Sequence, residues 1–453
     1  MRITGGTVLS MRPGDAPAVS DLAIDGQRIA ASAAGETIDA SGCYVMPGLV
    51  QTHIHLVQTI FRGLAEELSL LEWLRDRIWP LEAAHDEASL RATARLGLLD
   101  LLTTGTTTIL DMGTTHGGDV VAEELVASGI RARFGQTMMD GGDGVPKGLR
   151  ETTDASLRAS ARLATTWDGA GHGRISYAYA PRFALSCTRE LLEAVGDITK
   201  RLGLTIHTHS NENVAERALI EGATGQAPTT YLDSVGLVNE RSVIAHGVNL
   251  DEHEIAILAE HGASITHCPS SNLKLGSGIA DVRALRDRGI TVGIGADGAA
   301  CNNRLDGFDE LRLAALLAAS LHGPGALTAW DILAMGTRDG AGALRMDDQI
   351  GTLEVGKRAD LIVLDPSRLA GGARRHRRWE GPCPELRPAH ARCRGSARSR
   401  GRGAAGAGPT RRHLTRQRGR GDRRDGRQRA GRGAHRRSAA RRGPPGPGPL
   451  RLA

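Results

Sequence analysis

The chain has 453 residues, 40% hydrophobic and 24% charged, with a formal net charge of +6. That length and apolar content suit a large barrel-sized domain plus a smaller unit, and the absence of any run near the roughly 18–20 apolar residues of a membrane span argues against a membrane protein. The net charge misleads: 26 of the 57 basic residues, all arginine, and four of the 51 acidic ones lie from Arg368 onward, so the front is acidic by 16 and the tail basic by 22. The start, Met1-Arg2-Ile3-Thr4, lacks the apolar stretch of a secretory leader. Six scattered cysteines with no CxxC pair point to reduced thiols in a cytoplasmic protein.

Residues 1–47 read as short strands with turns. Val8-Leu9-Ser10 and Asp21 to Ala30 are small apolar stretches, the second split by a hairpin-like Asp25-Gly26. They are expected to form the first part of a small β-sandwich. The run 44–56 contains Met46-Pro47-Gly48 and then His53-Ile54-His55. Residues i and i+2 of a strand share a side, so His53 and His55 can present two imidazoles to one point. The pattern reads either as half of a metal site or as two histidines on a polar strand face.

From 48 to 345, apolar runs alternate with helical patterns. After 44–56 they cover Thr106–Met112, Ile130–Asp140, Ile175–Arg182, Thr205–Glu212, Ser242–Asn249, Ser264–Asn272 and Thr291–Ala299. Eight such units predict an α/β fold, a (β/α)8 TIM-like barrel. A doubly wound sheet is the alternative, but no GxGxxG follows a strand. His209 and Glu212 end the fifth run, His246 the sixth and Asp297 the eighth. Barrel enzymes place their chemistry at these strand ends, and several such residues together are improbable as core filler. His207 is read as structural, turned away from His209's side, and His116 as a loop residue.

Residues 346–366 end in the strand-like Asp360-Leu361-Ile362-Val363-Leu364-Asp365, expected to complete the sandwich. Residues 367–453 are Arg-, Gly- and Pro-rich and are expected to be disordered. A reading-frame shift near 366–370 is the preferred origin. A nucleic-acid-binding tail is the rival, weakened because Trp379 is its lone aromatic.

With PGLVQTHIH, His209-Ser210-Asn211-Glu212, Ala245-His246-Gly247 and Gly295-Ala296-Asp297-Gly298 in hand, residues 1 to about 365 resemble the amidohydrolase superfamily. They are most similar to its cytosolic aminohydrolases: guanine deaminases, S-adenosylhomocysteine/methylthioadenosine deaminases and triazine hydrolases. The resemblance implies metal ligands at His53, His55, His209 and Asp297, a proton-shuttling Glu212, and a sixth-strand His246. The fourth strand lacks the lysine of two-metal members, which implies one divalent metal, Zn2+ first and Fe2+ as the alternative. In the implied chemistry Asp297 accepts the proton of the attacking water, Glu212 protonates a ring nitrogen and His246 hydrogen-bonds the attacking oxygen. Gln58, Arg182 and Phe183 resemble guanine-binding residues, and Trp73 and Glu82 match positions that contact the nucleoside in adenosine-type deaminases. Taken singly, each also reads as an ordinary helix or ion-pair residue. The expected substrate is a small molecule, an aminated purine-type ring. Guanine comes first, with S-adenosylhomocysteine/methylthioadenosine-type substrates and triazines as alternatives. The expected assembly is a homodimer.

Overall fold

The computed structural model describes residues 1–368 and the backbone of Arg377–Arg378. Outside the barrel, the described strands form one sheet. At its centre β1 (Arg2–Val8) is antiparallel to β2 (Ala18–Asp25) and parallel to β4 (Thr37–Asp39) and β5 (Tyr44–Pro47). β2 turns through Gly26, at φ 57°, into β3 (Arg28–Ala30), as Asp-Gly turns favour. Alternate apolar residues, among them Ile3, Val8, Ile24, Ile29 and Val45, give this sheet its own core, shared with Leu361 and Val363 from the far end of the described chain.

The chain enters the barrel at Gly48, where a Cβ would sit 2.2 Å from the Thr107 side chain. Eight parallel strands then close on themselves among the described residues: β6 (Leu49–His55), β7 (Thr106–Asp111), β8 (Arg131–Phe134), β10 (Ile175–Pro181), β11 (Thr205–Ser210), β12 (Ser242–His246), β13 (Ser264–His267) and β14 (Thr291–Ile294). Closure is made by Ile294 of β14 beside Gln51 of β6. Two short pieces extend the rim, β9 (Thr137–Met138) beside β10 and β15 (Asp297–Gly298) beside β6. β16 (Leu361–Leu364) returns antiparallel to β5, and β17 (Arg377–Arg378) pairs with β16.

Helices between the strands begin where the sequence supplies caps. Asp86 caps Glu87–Thr103, Thr188 caps Arg189–Leu202 and Asp251 caps Glu252–His261, each accepting a backbone N–H three residues on. Their apolar faces bury against the β-branched strand residues Ile109, Ile206, Ile244, Ile265 and Val292. At roughly 1.5–3 kcal/mol for each large aliphatic side chain fully buried, this layer dominates the stability of the barrel.

Four of the eight sequence runs split. The run 44–56 divides at Gly48 between the small sheet and the barrel. The run 130–140 breaks after Phe134 and resumes as β9. In the run 264–272, Pro269 starts a helix, Pro269–Lys274, because proline suits a first helical position and lacks the N–H a strand needs. The run 291–299 breaks after Ile294 and resumes as β15. Among the described residues no helix is long and apolar enough to cross a membrane. From 369 onward, apart from β17, the tail lies outside the described residues, and with it the frameshift and nucleic-acid readings.

Candidate active site

The polar groups singled out in the sequence sit at the C-terminal ends of the barrel strands. His53 and His55 end β6, His209 is next to last in β11, and His246 ends β12. Asp297 opens β15, which sets it beside Ile54. Asn211, His246 and Asp297 have φ values of 55°, 78° and 60°. Left-handed backbone costs a non-glycine residue about 1–2 kcal/mol, and such strain gathers at functional sites. Asn211 is held by four hydrogen bonds: its amide donates to Asn249 O (3.1 Å) and Glu254 Oε1 (2.8 Å), and its oxygen accepts from Ser210 and Thr229 at 2.7 Å each.

The imidazoles converge on a carboxylate. Nε2 of His53 is 3.2 Å and Nε2 of His55 3.5 Å from Asp297 Oδ1. Nε2 of His55 and Nε2 of His209 face each other at 3.1 Å. Candidate donor atoms of His53, His55 and His209 lie within 4.8 Å of one another, as do those of His53, His246 and Asp297. The far ring nitrogens fix two tautomers: His209 Nδ1–H donates to Arg182 O at 2.6 Å, and His246 Nδ1–H to Asn272 Oδ1 at 2.9 Å. Their Nε2 atoms therefore carry lone pairs. Nε2 of His53 and of His246 are buried without a hydrogen-bond partner. Lone pairs and a carboxylate aimed at one buried point are costly unless a cation lies among them. The donor set of imidazole nitrogens and a carboxylate oxygen fits a divalent transition ion.

The electrostatics agree with that fit. Burial pulls His55 and His209 well below the usual imidazole range and His246 to about 4, which keeps the rings neutral. Burial pushes Asp297 up, but His53 beside it outweighs this and holds the carboxyl well below its usual range. Glu212 goes the other way: burial, then repulsion from Asp297 and Glu216, raises it well above the usual carboxylate range. Its Oε2 is 3.3 Å from His246 Nε2. Two hydrogen bonds fix its backbone: Glu212 N–H donates to Glu216 Oε2 at 2.8 Å, and Asn249 Nδ2 donates to Glu212 O at 3.2 Å.

A narrow cleft opens onto this cluster. His55, His209, Glu212, His246 and Asp297 line its polar side, and Leu70, Trp73, Leu74 and Phe183 its apolar side; Gln58 and Arg182 also line it. Glu82 does not. It stands behind, accepting from Arg182 Nη1 at 2.6 Å and from Gln58 Nε2 at 2.9 Å. Its contact is with the cleft-lining residues and not with the cleft itself. His116 is exposed in the loop after β7, 4.0 Å from Glu151.

One sequence reading is corrected. His207 is not turned away from His209; two residues apart in a strand, they share a face. His207 Nε2 lies 2.8 Å from His53 Nδ1, so the ring belongs to the cluster's supporting layer. Sequence reasoning also passed over Ser271, whose hydroxyl donates to Asp297 Oδ2 at 2.7 Å, and Asn272, which accepts from His246. Their one signal was position: both follow the seventh strand's end.

The profile of the Amidohydrolase family matches residues 44–387. The 5-methylthioadenosine/S-adenosylhomocysteine deaminase of Halobacterium salinarum is 39% identical over 372 residues, covering 81% of this chain and 84% of the relative. Among solved structures, a zinc-bound adenosine deaminase from Xanthomonas campestris superposes with a TM-score of 0.77 at 34% identity, over 81% of this chain and 85% of that one. Guanine deaminase from E. coli superposes at 0.73 and 28% identity, over 81% of this chain and 88% of that one. The chain belongs to the amidohydrolase family. It is a metal-dependent hydrolase acting on C–N bonds.

Proposed function

We propose that the chain hydrolytically deaminates adenosine-type nucleosides of the S-adenosylhomocysteine and 5-methylthioadenosine class. The observation that carries deamination is Glu212, a buried carboxyl favoured in its protonated form, 3.3 Å from His246 and beside the His/Asp cluster, in a cleft walled by Trp73 and Phe183. The adenosine-type assignment rests on the relatives: 39% identity to a 5-methylthioadenosine/S-adenosylhomocysteine deaminase and 34% to an adenosine deaminase, against 28% to a guanine deaminase. They reverse the order of substrates read from the sequence, where guanine came first.

His53, His55, His209 and Asp297 are the proposed ligands of one ion, with zinc favoured by the donor set and iron as the alternative. A divalent ion there supplies Lewis acidity, lowering the pKa of water to about 7. Asp297, ionised, takes a proton from the attacking water. Glu212 gives its proton to the ring nitrogen next to the amino-bearing carbon, so negative charge does not accumulate on the ring as the C–O bond forms. His246 carries its proton on Nδ1, so in the resting enzyme its Nε2 accepts a hydrogen bond from the water. It becomes a donor to the new oxygen only after taking up a second proton, a refinement of the donor role expected from the sequence. The proton held by Asp297 then passes to the amine as the proton of the added hydroxyl returns to Glu212; the C–N bond breaks, ammonia leaves and the ring keeps a carbonyl. Trp73 and Phe183 offer flat apolar walls for the base.

Guanine is the second reading, favoured by the Gln58 amide and the Arg182 guanidinium in the cleft, whose donors suit a ring carbonyl. Ammonia release by zinc-reconstituted protein on S-adenosylhomocysteine, 5-methylthioadenosine, adenosine, guanine and melamine separates the readings. The proposal expects the 5′-substituted adenosines to give the highest kcat/KM. Turnover of guanine alone would overturn the substrate assignment.

A further inference from the structure

We propose that His207 is a positioning residue that sets the tautomer of His53 and thereby aims the lone pair of His53 Nε2 into the metal site. The inference rests on the reading of His53 as a ligand. His207 and His53 are both fully buried. His207 Nδ1 is 3.0 Å from the carbonyl oxygen of Val243 in the neighbouring strand β12. A carbonyl only accepts, so Nδ1 must carry the proton. A second proton on Nε2 would make a buried cation 2.8 Å from a ligand ring. Nε2 of His207 is therefore a bare acceptor, and the atom facing it, His53 Nδ1, must carry a proton to make the 2.8 Å contact a hydrogen bond. A neutral imidazole has one N–H, so His53 Nε2 is left with its lone pair, on the buried atom that has no hydrogen-bond partner and lies 3.2 Å from Asp297 Oδ1.

One backbone carbonyl in β12 thus dictates, through two rings on β11 and β6, which nitrogen of His53 is free to bind a metal. Ligating histidines are commonly oriented by a carboxylate or carbonyl on the far nitrogen. Here an imidazole takes that place, and it works only while its own proton is held on Nδ1. Without His207, His53 could carry its proton on Nε2, which cannot ligate.

The test compares zinc affinity of chelator-stripped wild type, His207→Leu and His207→Gln by competition with a chromophoric chelator. Leucine removes the acceptor. Glutamine returns an amide oxygen near the position of the lost Nε2. The expected result is a loss of about 10–100-fold for leucine, as for other groups that orient a ligand, with most of it recovered by glutamine. Equal affinity in all three, or glutamine no better than leucine, would overturn the inference. Wild type that takes up no zinc would instead overturn the ligand assignment itself. A measurement independent of any variant's folding is the histidine-ring 15N spectrum of stripped wild type. It should show protons on Nδ1 of both His53 and His207, and a His53 protonated on Nε2 but not on Nδ1 would refute the proposal.

Discussion

Glu82 and Arg182, a hundred residues apart, form a buried ion pair with Nη1 2.6 Å from Oε2 and Nη2 3.3 Å from Oε1, and Gln58 adds a third bond to the same carboxylate at 2.9 Å. The side chains are 7% and 4% exposed, so neither charge is solvated by water. Breaking such a pair from one side leaves an uncompensated buried charge and costs about 3–5 kcal/mol. Arg182→Met should therefore destabilise the metal-free protein by about that much in chemical denaturation. Arg182→Met combined with Glu82→Leu should recover a large part of the loss. A double variant as unstable as the sum of the two singles would show that the residues do not act together.

Glu212→Gln keeps the shape of the side chain and removes its transferable proton. Zinc content should match wild type, and ammonia release should fall by about 10²–10⁴-fold, the usual worth of a positioned acid–base group. Full activity would exclude Glu212 as the proton carrier.

Gly298 follows Asp297 and has no room for a side chain: a Cβ there would lie 2.1 Å from Gln58 Oε1 and 3.2 Å from Gln58 Cβ. Gly298→Ala must push Gln58 from its place beside Glu82. Overpacking of this kind costs about 1–3 kcal/mol. KM should rise more than kcat falls, because Gln58 lines the cleft without reaching the reacting carbon in the proposed pose. An unchanged KM would remove Gln58 from substrate binding.

Asp111, at the end of β7, is fully buried, and burial pushes its carboxyl up to about 7. Its folded pKa thus exceeds the unfolded value near 4. The stability it contributes is complete below about pH 4 and is lost as pH rises towards 7, because the unfolded chain gives up the proton first. Asp111→Asn keeps the acceptor that Leu56 N–H meets at 2.9 Å and cannot ionise. Denaturation of chelated protein at pH 4.5 and 7.5 should show the wild type losing on the order of a few kcal/mol more than the variant across that window. Parallel curves would place the titration elsewhere.

The barrel was legible because its strands are short apolar runs and because the groups that fit a metal are rare residue types standing at their ends. His53, His55, His209 and Asp297 needed no partner information to stand out. Run ends were harder to read. Gly48 divides one apolar run between two sheets for a steric reason, the Thr107 side chain, which lies far along the chain. The supporting layer was hidden for a related reason. Ser271 and Asn272 are common polar residues whose partners Asp297 and His246 each lie 26 positions away, and Asn211 reaches Glu254 43 positions away; nothing local marks those pairings. His207 was legible in principle, since the two-residue strand period places it on His209's face, but its partner His53 is 154 residues distant.

The account turns on a single cation held where four side chains from opposite ends of the barrel sequence meet, with no lysine on the fourth strand to bridge a second. Metal content by elemental analysis, on stripped protein titrated with zinc and then desalted, tests this directly. Wild type should retain one equivalent per chain, and His55→Ala and Asp297→Ala far less. Retention of two equivalents, or of none by correctly folded protein, would contradict it.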